Sequence, residues 1–190
     1  MLVYFEGIDG VGKSTQISMF ERECIKTCEP GGTQLGKSLR ELIFKSKASP
    51  RAEIFLFLAD RAEHYEKVIK PNKHKLILSD RSFISGLAYA MASDENYDIS
   101  ELITLNSFAL QNDFDAKFVL FLADEALLKA RLKSRGTSDK IEERGIAYLL
   151  AVQGYMQMIL KDLKFSYVAL DANTPKDELH AKINEFLGFK

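Results

Sequence analysis

Apolar residues in this chain fall into short unbroken runs, separated by longer stretches in which they recur every three or four positions. The runs LVYFEG (2–7), KLILSD (75–80), KFVLFLAD (117–124) and SYVALDA (166–172), with a weaker one at CIKTCE (24–29), have the length and composition of strands. Between them, helical spacing predicts helices over 14–24, 35–47, 51–70, 82–92, 99–112, 125–135, 141–163 and 175–187. Ser100, Asp124 and Thr174 read as capping residues, and Pro175 as a first helical residue. Strands that are apolar at every position are covered on both faces, and their alternation with helices implies a parallel sheet. The predicted fold class is therefore α/β, a doubly wound parallel five-stranded sheet with helices on both faces. No repeat, low-complexity tract or linker interrupts the pattern, so residues 1–190 read as one domain. The charged, glycine-containing stretch SRGTSDKIEER (134–144) reads as a lid or an exposed turn between two helices.

With 190 residues and 46% hydrophobic content, the chain can bury a core without disulfides or structural metal. Its 27 acidic residues nearly balance its 26 basic ones, so no global field draws nucleic acid or an anionic membrane. Recognition of anions has to be local. Cys24 and Cys28 lack a second pair of Cys or His at zinc-ligand spacing and are expected to be reduced thiols. The first residues, MLVYFEG, run into a strand without a basic segment or an apolar signal core, and no run has the length of a membrane span. The expectation is a cytoplasmic protein.

The first chemistry lies in FEGIDGVGKST (5–15), between a strand and a helix. Gly7, Gly12, Lys13 and Ser14 satisfy the phosphate-loop pattern of two glycines separated by four residues and followed by Lys and Ser or Thr. Such a loop turns successive N–H groups toward phosphate oxygens. Lys13 charges the terminal phosphates, and the Ser14 hydroxyl can ligate Mg²⁺ where the helix dipole also favours anions. ATP or GTP binding follows, with Gly10 and Thr15 also at the site. The late segment LDANTPKD lacks the order of a guanine-reading motif, which disfavours a GTP switch. The loop has no arginine, so further positive charge on a transferred phosphoryl has to come from elsewhere. In LILSDRSFISGLAYA (76–90), Asp80 ends an apolar strand, where a carboxylate orients Mg²⁺, and Arg81 follows it. Both face the crevice at the carboxyl edge of a parallel sheet. The bland alternative is a surface pair capping the next helix.

These residues resemble the thymidylate kinase family. LSDRSFISGLAYA is similar to its Asp-Arg signature, EPGGT (29–33) to its Glu-Pro-Gly-Gly-Thr loop, and GKSLRELI (36–43) to the arginine-bearing helix that follows. LFLADR (56–61) resembles its Phe-x-x-x-Arg segment, and SRGTSDKIE (134–142) its arginine-bearing lid. The resemblance implies transfer of phosphate from ATP to dTMP with Mg²⁺, in a homodimer formed through helices within 51–70 and 99–112. It implies that Phe57 stacks on thymine, that Arg61 donates to the base O4, and that Arg40 and Arg81 clamp the acceptor phosphate. The helical spacing agrees, because residues four apart share a face. Asp9 resembles the loop carboxylate near the acceptor phosphate and sugar, with an ordinary turn as its alternative. Glu29 is placed near the acceptor and Mg²⁺, and Ser85, Gly86 and Tyr89 in the nucleoside pocket. Tyr89 can exclude ribose, with core packing as the rival.

Gly10 puts the chain in the subtype whose lid supplies the catalytic cation. The candidates are Arg131, Lys133 and Arg135, and Arg135 is the first choice, while Arg131 and Arg135 are both also assigned to ATP. The chain departs from the common bacterial pattern at Cys28, Ser82 and Ala90, which stand where an arginine, an aromatic or His, and a glutamine are frequent. The helix AYLLAVQGYMQMI also lacks an arginine carried by many members. Two alternatives stay open on the residues alone: a phosphate-loop kinase for another nucleoside monophosphate or small metabolite, and a nucleotide-hydrolysing switch.

Overall fold

A computed structural model describes the backbone of residues 1–135 and 145–189, and their side chains other than those of 132–135. Most of the expected lid therefore lies outside the described residues. Five strands, β1 (Leu2–Glu6), β2 (Ile25–Cys28), β3 (Ile77–Asp80), β4 (Lys117–Leu122) and β5 (Ser166–Asp171), form one sheet in the order β2-β3-β1-β4-β5. Every pairing is parallel. The three central strands are the most apolar and the most buried, whereas β2 and β5 lie at the edges and are partly exposed. Among the described residues, eight α-helices surround the sheet: α1 (Lys13–Ser18), α2 (Gln34–Lys45), α3 (Pro50–His64), α4 (Phe83–Ser93), α5 (Ile99–Ala109), α6 (Glu125–Arg135), α7 (Ile146–Asp162) and α8 (Lys176–Leu187). Among the described residues, no helix is long and apolar enough to cross a membrane.

Register positions the site. Phe5 and Cys28 both pair with Asp80, so β1, β2 and β3 end side by side and release three loops at one edge. The chain leaves β1 toward β2 on one side and later crosses from β3 to β4 on the other, and ligands of such sheets bind at this switch point. Beneath it, Phe83, Phe114, Phe118 and Phe165 pack ring against ring, with centroids 5.0–6.4 Å apart.

Several element ends differ from expectation. Helix α1 stops at Ser18, not 24, because Phe20 must drop into the core against Phe5 and His180 while Ile25 starts pairing with Ile77. The predicted helix 51–70 is α-helical only to His64. A π turn (Tyr65–Ile69) and a 3-10 turn (Lys70–Asn72) follow, burying Tyr65 and Ile69. Asp98, not Ser100, caps α5 by accepting from the Ser100 N–H at 2.8 Å. Asp124 accepts from Leu127 N–H at 2.7 Å, as a cap of α6 does. At α8 the cap is Pro175, one position earlier in role than expected, without a side-chain bond.

Candidate active site

The loop after β1 turns at Gly7, whose φ is +138° and where a Cβ would sit 2.8 Å from the Phe121 carbonyl oxygen of β4. Only glycine fits both the conformation and the space. Gly12 then caps α1 in the left-handed region at φ 101°. Lys13 folds back so that its ammonium donates to the Gly7 and Ile8 carbonyls at 2.9 Å each, and stands 4.0 Å from Asp80. Burial, aided by nearby Arg81, lowers its pKa to about 8. The Ser14 hydroxyl donates to Asp80 Oδ2 at 2.6 Å, so the helix start and the end of β3 meet as the motif spacing implied.

Arg81 has φ +74°, a left-handed conformation that costs a non-glycine residue about 1–3 kcal/mol and that functional sites retain. Its N–H donates to Phe5 O at 2.9 Å, and its carbonyl accepts from the Ser79 hydroxyl at 3.0 Å, which hold the turn. The turn sends the guanidinium back over β1. Nη1 donates to Gly7 O at 3.1 Å and Ser85 Oγ at 3.0 Å, and Nη2 to Asp9 Oδ1 at 2.9 Å. The hydroxyls of Ser82 and Ser85 each donate at 2.5 Å to Glu6, a fully buried carboxylate at the end of β1 whose pKa burial raises. Ser82 also caps α4 by accepting from Ile84 N–H at 3.1 Å. The Asp80–Arg81 pair is therefore not the helix cap.

One pocket beside the phosphate loop is lined by Asp9, Glu29, Arg40, Phe57, Arg61, Arg81, Ser85, Gly86 and Tyr89 together. Helices α2, α3 and α4 deliver six of these, Arg40, Phe57, Arg61, Ser85, Gly86 and Tyr89, and Arg81 lies just before α4. Arg40 lies on the rim, donates to Pro30 O at 2.9 Å and stacks over Phe44. Phe57 is half-buried one turn before Arg61. The Tyr89 hydroxyl is buried without a hydrogen-bond partner among the described residues, and burial pushes its pKa up to about 12. Its ring faces the Arg81 guanidinium at 5.6 Å.

Arg61 is 3% exposed and donates through Nε to Glu29 Oε2 at 3.0 Å and through Nη1 to Asn106 Oδ1 at 2.8 Å. The other Glu29 oxygen meets His64 Nδ1 at 2.9 Å. Burial works to raise the Glu29 pKa, but Arg61 and His64 together hold it below the usual range. The structure thus pairs Glu29, expected near the acceptor and Mg²⁺, with two residues of α3. Both of its oxygens are committed to buried cationic or N–H partners, and the carboxylate is 3% exposed. Sequence reasoning also missed Glu6, His64 and Asn106. Glu6 is a carboxylate inside an apolar strand, and Asn106 an amide one turn after Leu102 on a buried face, and those two placements were the available signals.

On the other side of the phosphate loop, Gly10, Gly12, Thr15 and Arg131 line a second hollow with Gln16, Ala172, Thr174 and Lys176. Arg131 bridges the loop to the end of β5 by donating to the carbonyls of Gly10 and Ala172. Arg135 ends α6, and the side chains of Lys133 and Arg135 lie outside the described residues.

A phosphate loop at the centre of a parallel sheet, with a guanidinium-lined pocket next to it, defines a P-loop kinase whose acceptor carries its own anionic group. The family profile described as thymidylate kinase matches residues 5–183. A thymidylate kinase of Campylobacter fetus is 57% identical over 192 residues, covering 98% of this chain and 100% of the relative. One from Campylobacter curvus is 54% identical, covering 100% of both chains. The crystal structure of thymidylate kinase from Ehrlichia chaffeensis, at 24% identity, has the same fold with a TM-score of 0.77 over 98% of both chains. The chain belongs to the thymidylate kinase family, and its reaction is phosphoryl transfer from ATP to dTMP.

Proposed function

We propose that the pocket from Arg40 and Arg81 to Phe57 and Arg61 is the dTMP site, with ATP held by Gly7, Gly10, Gly12, Lys13, Ser14, Thr15 and Arg131. The observation that carries this reading is the convergence of an aromatic plate and the guanidiniums of Arg40, Arg61 and Arg81 in one pocket with Asp9, where Arg81 and Lys13 both donate to Gly7 O. Guanidinium groups at Arg40 and Arg81 bind phosphate oxygens bidentately. Arg81 also bridges the acceptor pocket to the donor loop, because one guanidinium reaches both Asp9 and Gly7. The acceptor is already an anion, so alignment and charge neutralisation suffice and no strong base is required. Tyr89 stands where its bulk meets the sugar.

The hydroxyl of Ser14 and the carboxylate of Asp80, 2.6 Å apart at a helix N-terminus, are hard oxygen donors of the kind Mg²⁺ takes alongside nucleotide phosphates. Mg²⁺ held there neutralises charge on the triphosphate. Among the described residues no cluster of three or more His, Cys, Asp or Glu offers a metal cage, which fits a cation bound together with ATP. Dimerisation is read from α3 and α5, where Phe55 is 60% and Phe108 88% exposed beside Leu105. Cys24 and Cys28 are free thiols, which fits a cytoplasmic enzyme.

Phe57→Leu, with KM measured separately for each substrate, tests the dTMP placement. Base stacking on an aromatic ring contributes about 1–3 kcal/mol, so the dTMP KM should rise about tenfold while the ATP KM stays constant. An unchanged dTMP KM removes Phe57 from the base and with it this orientation of the pocket.

A further inference from the structure

Behind the pocket, a continuous chain of buried polar groups runs from β2 to α5. The Thr27 hydroxyl lies 2.7 Å from His64 Nε2, His64 Nδ1 lies 2.9 Å from Glu29 Oε1, and Arg61 joins Glu29 to Asn106. His64 is wholly buried and Glu29, Arg61 and Asn106 nearly so. A carboxylate only accepts, so Nδ1 carries the hydrogen toward Glu29, while Nε2 shares a hydrogen bond with the Thr27 hydroxyl. The ring is thereby locked at both ends. Gly32 completes the fit, since a Cβ there would lie 2.6 Å from the His64 ring. Asp60 ties the same loop to α3 by accepting from Gly31 N–H at 3.0 Å.

The consequence falls on Arg61. Its guanidinium has five N–H donors, of which Glu29, Asn106 and, at 3.4 Å, the Ser82 carbonyl take one each. The two that remain, one on each Nη, are those able to meet a ligand. Their direction is set by how Glu29 grips Nε, and Glu29 is itself aimed by His64. The rest of the pocket floor offers little help in reading a base. Ala90 has no polar atom, Ser93 donates to its own helix, and the Asn106 amide donates to Leu102 O while its oxygen serves Arg61.

We propose that His64 is a positioning residue for base selectivity: acting through Glu29, it fixes the Arg61 guanidinium so that its free N–H groups meet a pyrimidine carbonyl and reject a pyrimidine amine. The inference rests on the placement of Arg61 at the base proposed above. A thymine O4 accepts from these donors, whereas the amino group of cytosine presents a donor to a donor. Selectivity for dTMP over dCMP is therefore the property that His64 controls.

The test compares kcat and KM for dTMP and dCMP in the full-length enzyme and in His64→Leu, His64→Asn, Thr27→Val and Arg61→Gln. In His64→Asn the amide nitrogen takes the place of Nδ1 and keeps the bond to Glu29. His64→Leu should lower the dTMP/dCMP ratio of kcat/KM about tenfold or more, through KM for dTMP, because a donor no longer held in line ceases to discriminate. Its kcat with saturating dTMP and its KM for ATP should stay within about twofold, and His64→Asn should restore most of the ratio. Thr27→Val, isosteric and half-buried, should give a drop of about two- to fivefold, and supplies the answer if His64→Leu does not fold. An unchanged ratio in folded His64→Leu and Thr27→Val, or an equal loss on both substrates, overturns the proposal. Arg61→Gln separates the two levels. If it abolishes selectivity while the His64 variants do not, only the role of His64 falls. If it too leaves the ratio intact, the placement of Arg61 at the base falls, and the role of His64 with it.

Discussion

Replacing Glu29 with Gln keeps the shape of the side chain and removes the charge that Arg61 faces at 3.0 Å, with both groups 3% exposed. Removing one partner of a buried ion pair typically costs about 3–5 kcal/mol, because the surviving charge stays desolvated. The structure sets the value for Gln at or just below the lower end of that range. The Gln oxygen can still accept from Arg61 Nε, and its amide can donate to His64 Nδ1 once the imidazole hydrogen moves to Nε2, where Thr27 accepts it. Hydrogen bonding survives and only the charge pairing is lost, so about 2–3 kcal/mol is expected for Glu29→Gln, and about 4 kcal/mol for Glu29→Leu, which loses both. Urea unfolding at one fixed protein concentration, followed by far-UV circular dichroism, measures the difference.

The pH dependence gives a second check on the same variant. Arg61 and His64 hold the Glu29 carboxyl below its unfolded value against the effect of burial, so its stabilising contribution is complete above the unfolded pKa. The wild-type advantage should be full above about pH 5 and should shrink as pH falls through the lowered folded value. A Glu29→Gln protein within about 0.5 kcal/mol of wild type at neutral pH would refute the buried pairing. So would an advantage that grew on acidification.

Lys13, with its pKa lowered to about 8 by burial and Arg81, should take up a proton when triphosphate charge arrives, so ATP affinity should weaken above pH 8. Calorimetry in buffers of different ionisation enthalpy should find uptake of about half a proton at that pH, and pH-independent affinity up to about pH 9 would contradict it. Arg135→Ala should slow single-turnover transfer by about 10³-fold or more if the lid supplies the catalytic cation, and an unchanged rate removes Arg135 from the chemistry. Phe108→Glu should shift sedimentation toward a monomer if α3 and α5 form the dimer face, and an unaltered sedimentation coefficient moves the interface elsewhere.

Central strands and the phosphate loop were legible in the sequence because their signals are local: unbroken apolar runs, and a glycine–lysine spacing between strand and helix. The end of α1 was not, since residues 19–24 carry ordinary helix formers and only the pairing of Ile25 with Ile77 requires the chain to unwind there. Likewise, the apolar spacing of Tyr65 and Ile69 suits an α-helix. The π turn that buries them is a tertiary choice, placed directly after Arg61 and His64, and such turns often adjoin functional sites. Residues proposed to contact ligand were legible because they sit in motifs. Residues that hold them lie far off in sequence: Glu6 is 79 residues from Ser85, and His64 is 35 from Glu29. No periodicity reports such contacts, and the pairing of Glu29 with Arg61 and His64 was hidden for the same reason: its buried partners lie on a helix distant in sequence.

The central claim is that the pocket beside the phosphate loop accepts dTMP, and the most direct measurement is ADP release from ATP and Mg²⁺ across a panel of nucleoside monophosphates. If Phe57 and Arg61 read the base and Tyr89 crowds the sugar, as proposed, dTMP should give the highest kcat/KM, ahead of dCMP, CMP, AMP and GMP. A preference for AMP, GMP or CMP over dTMP would contradict the account.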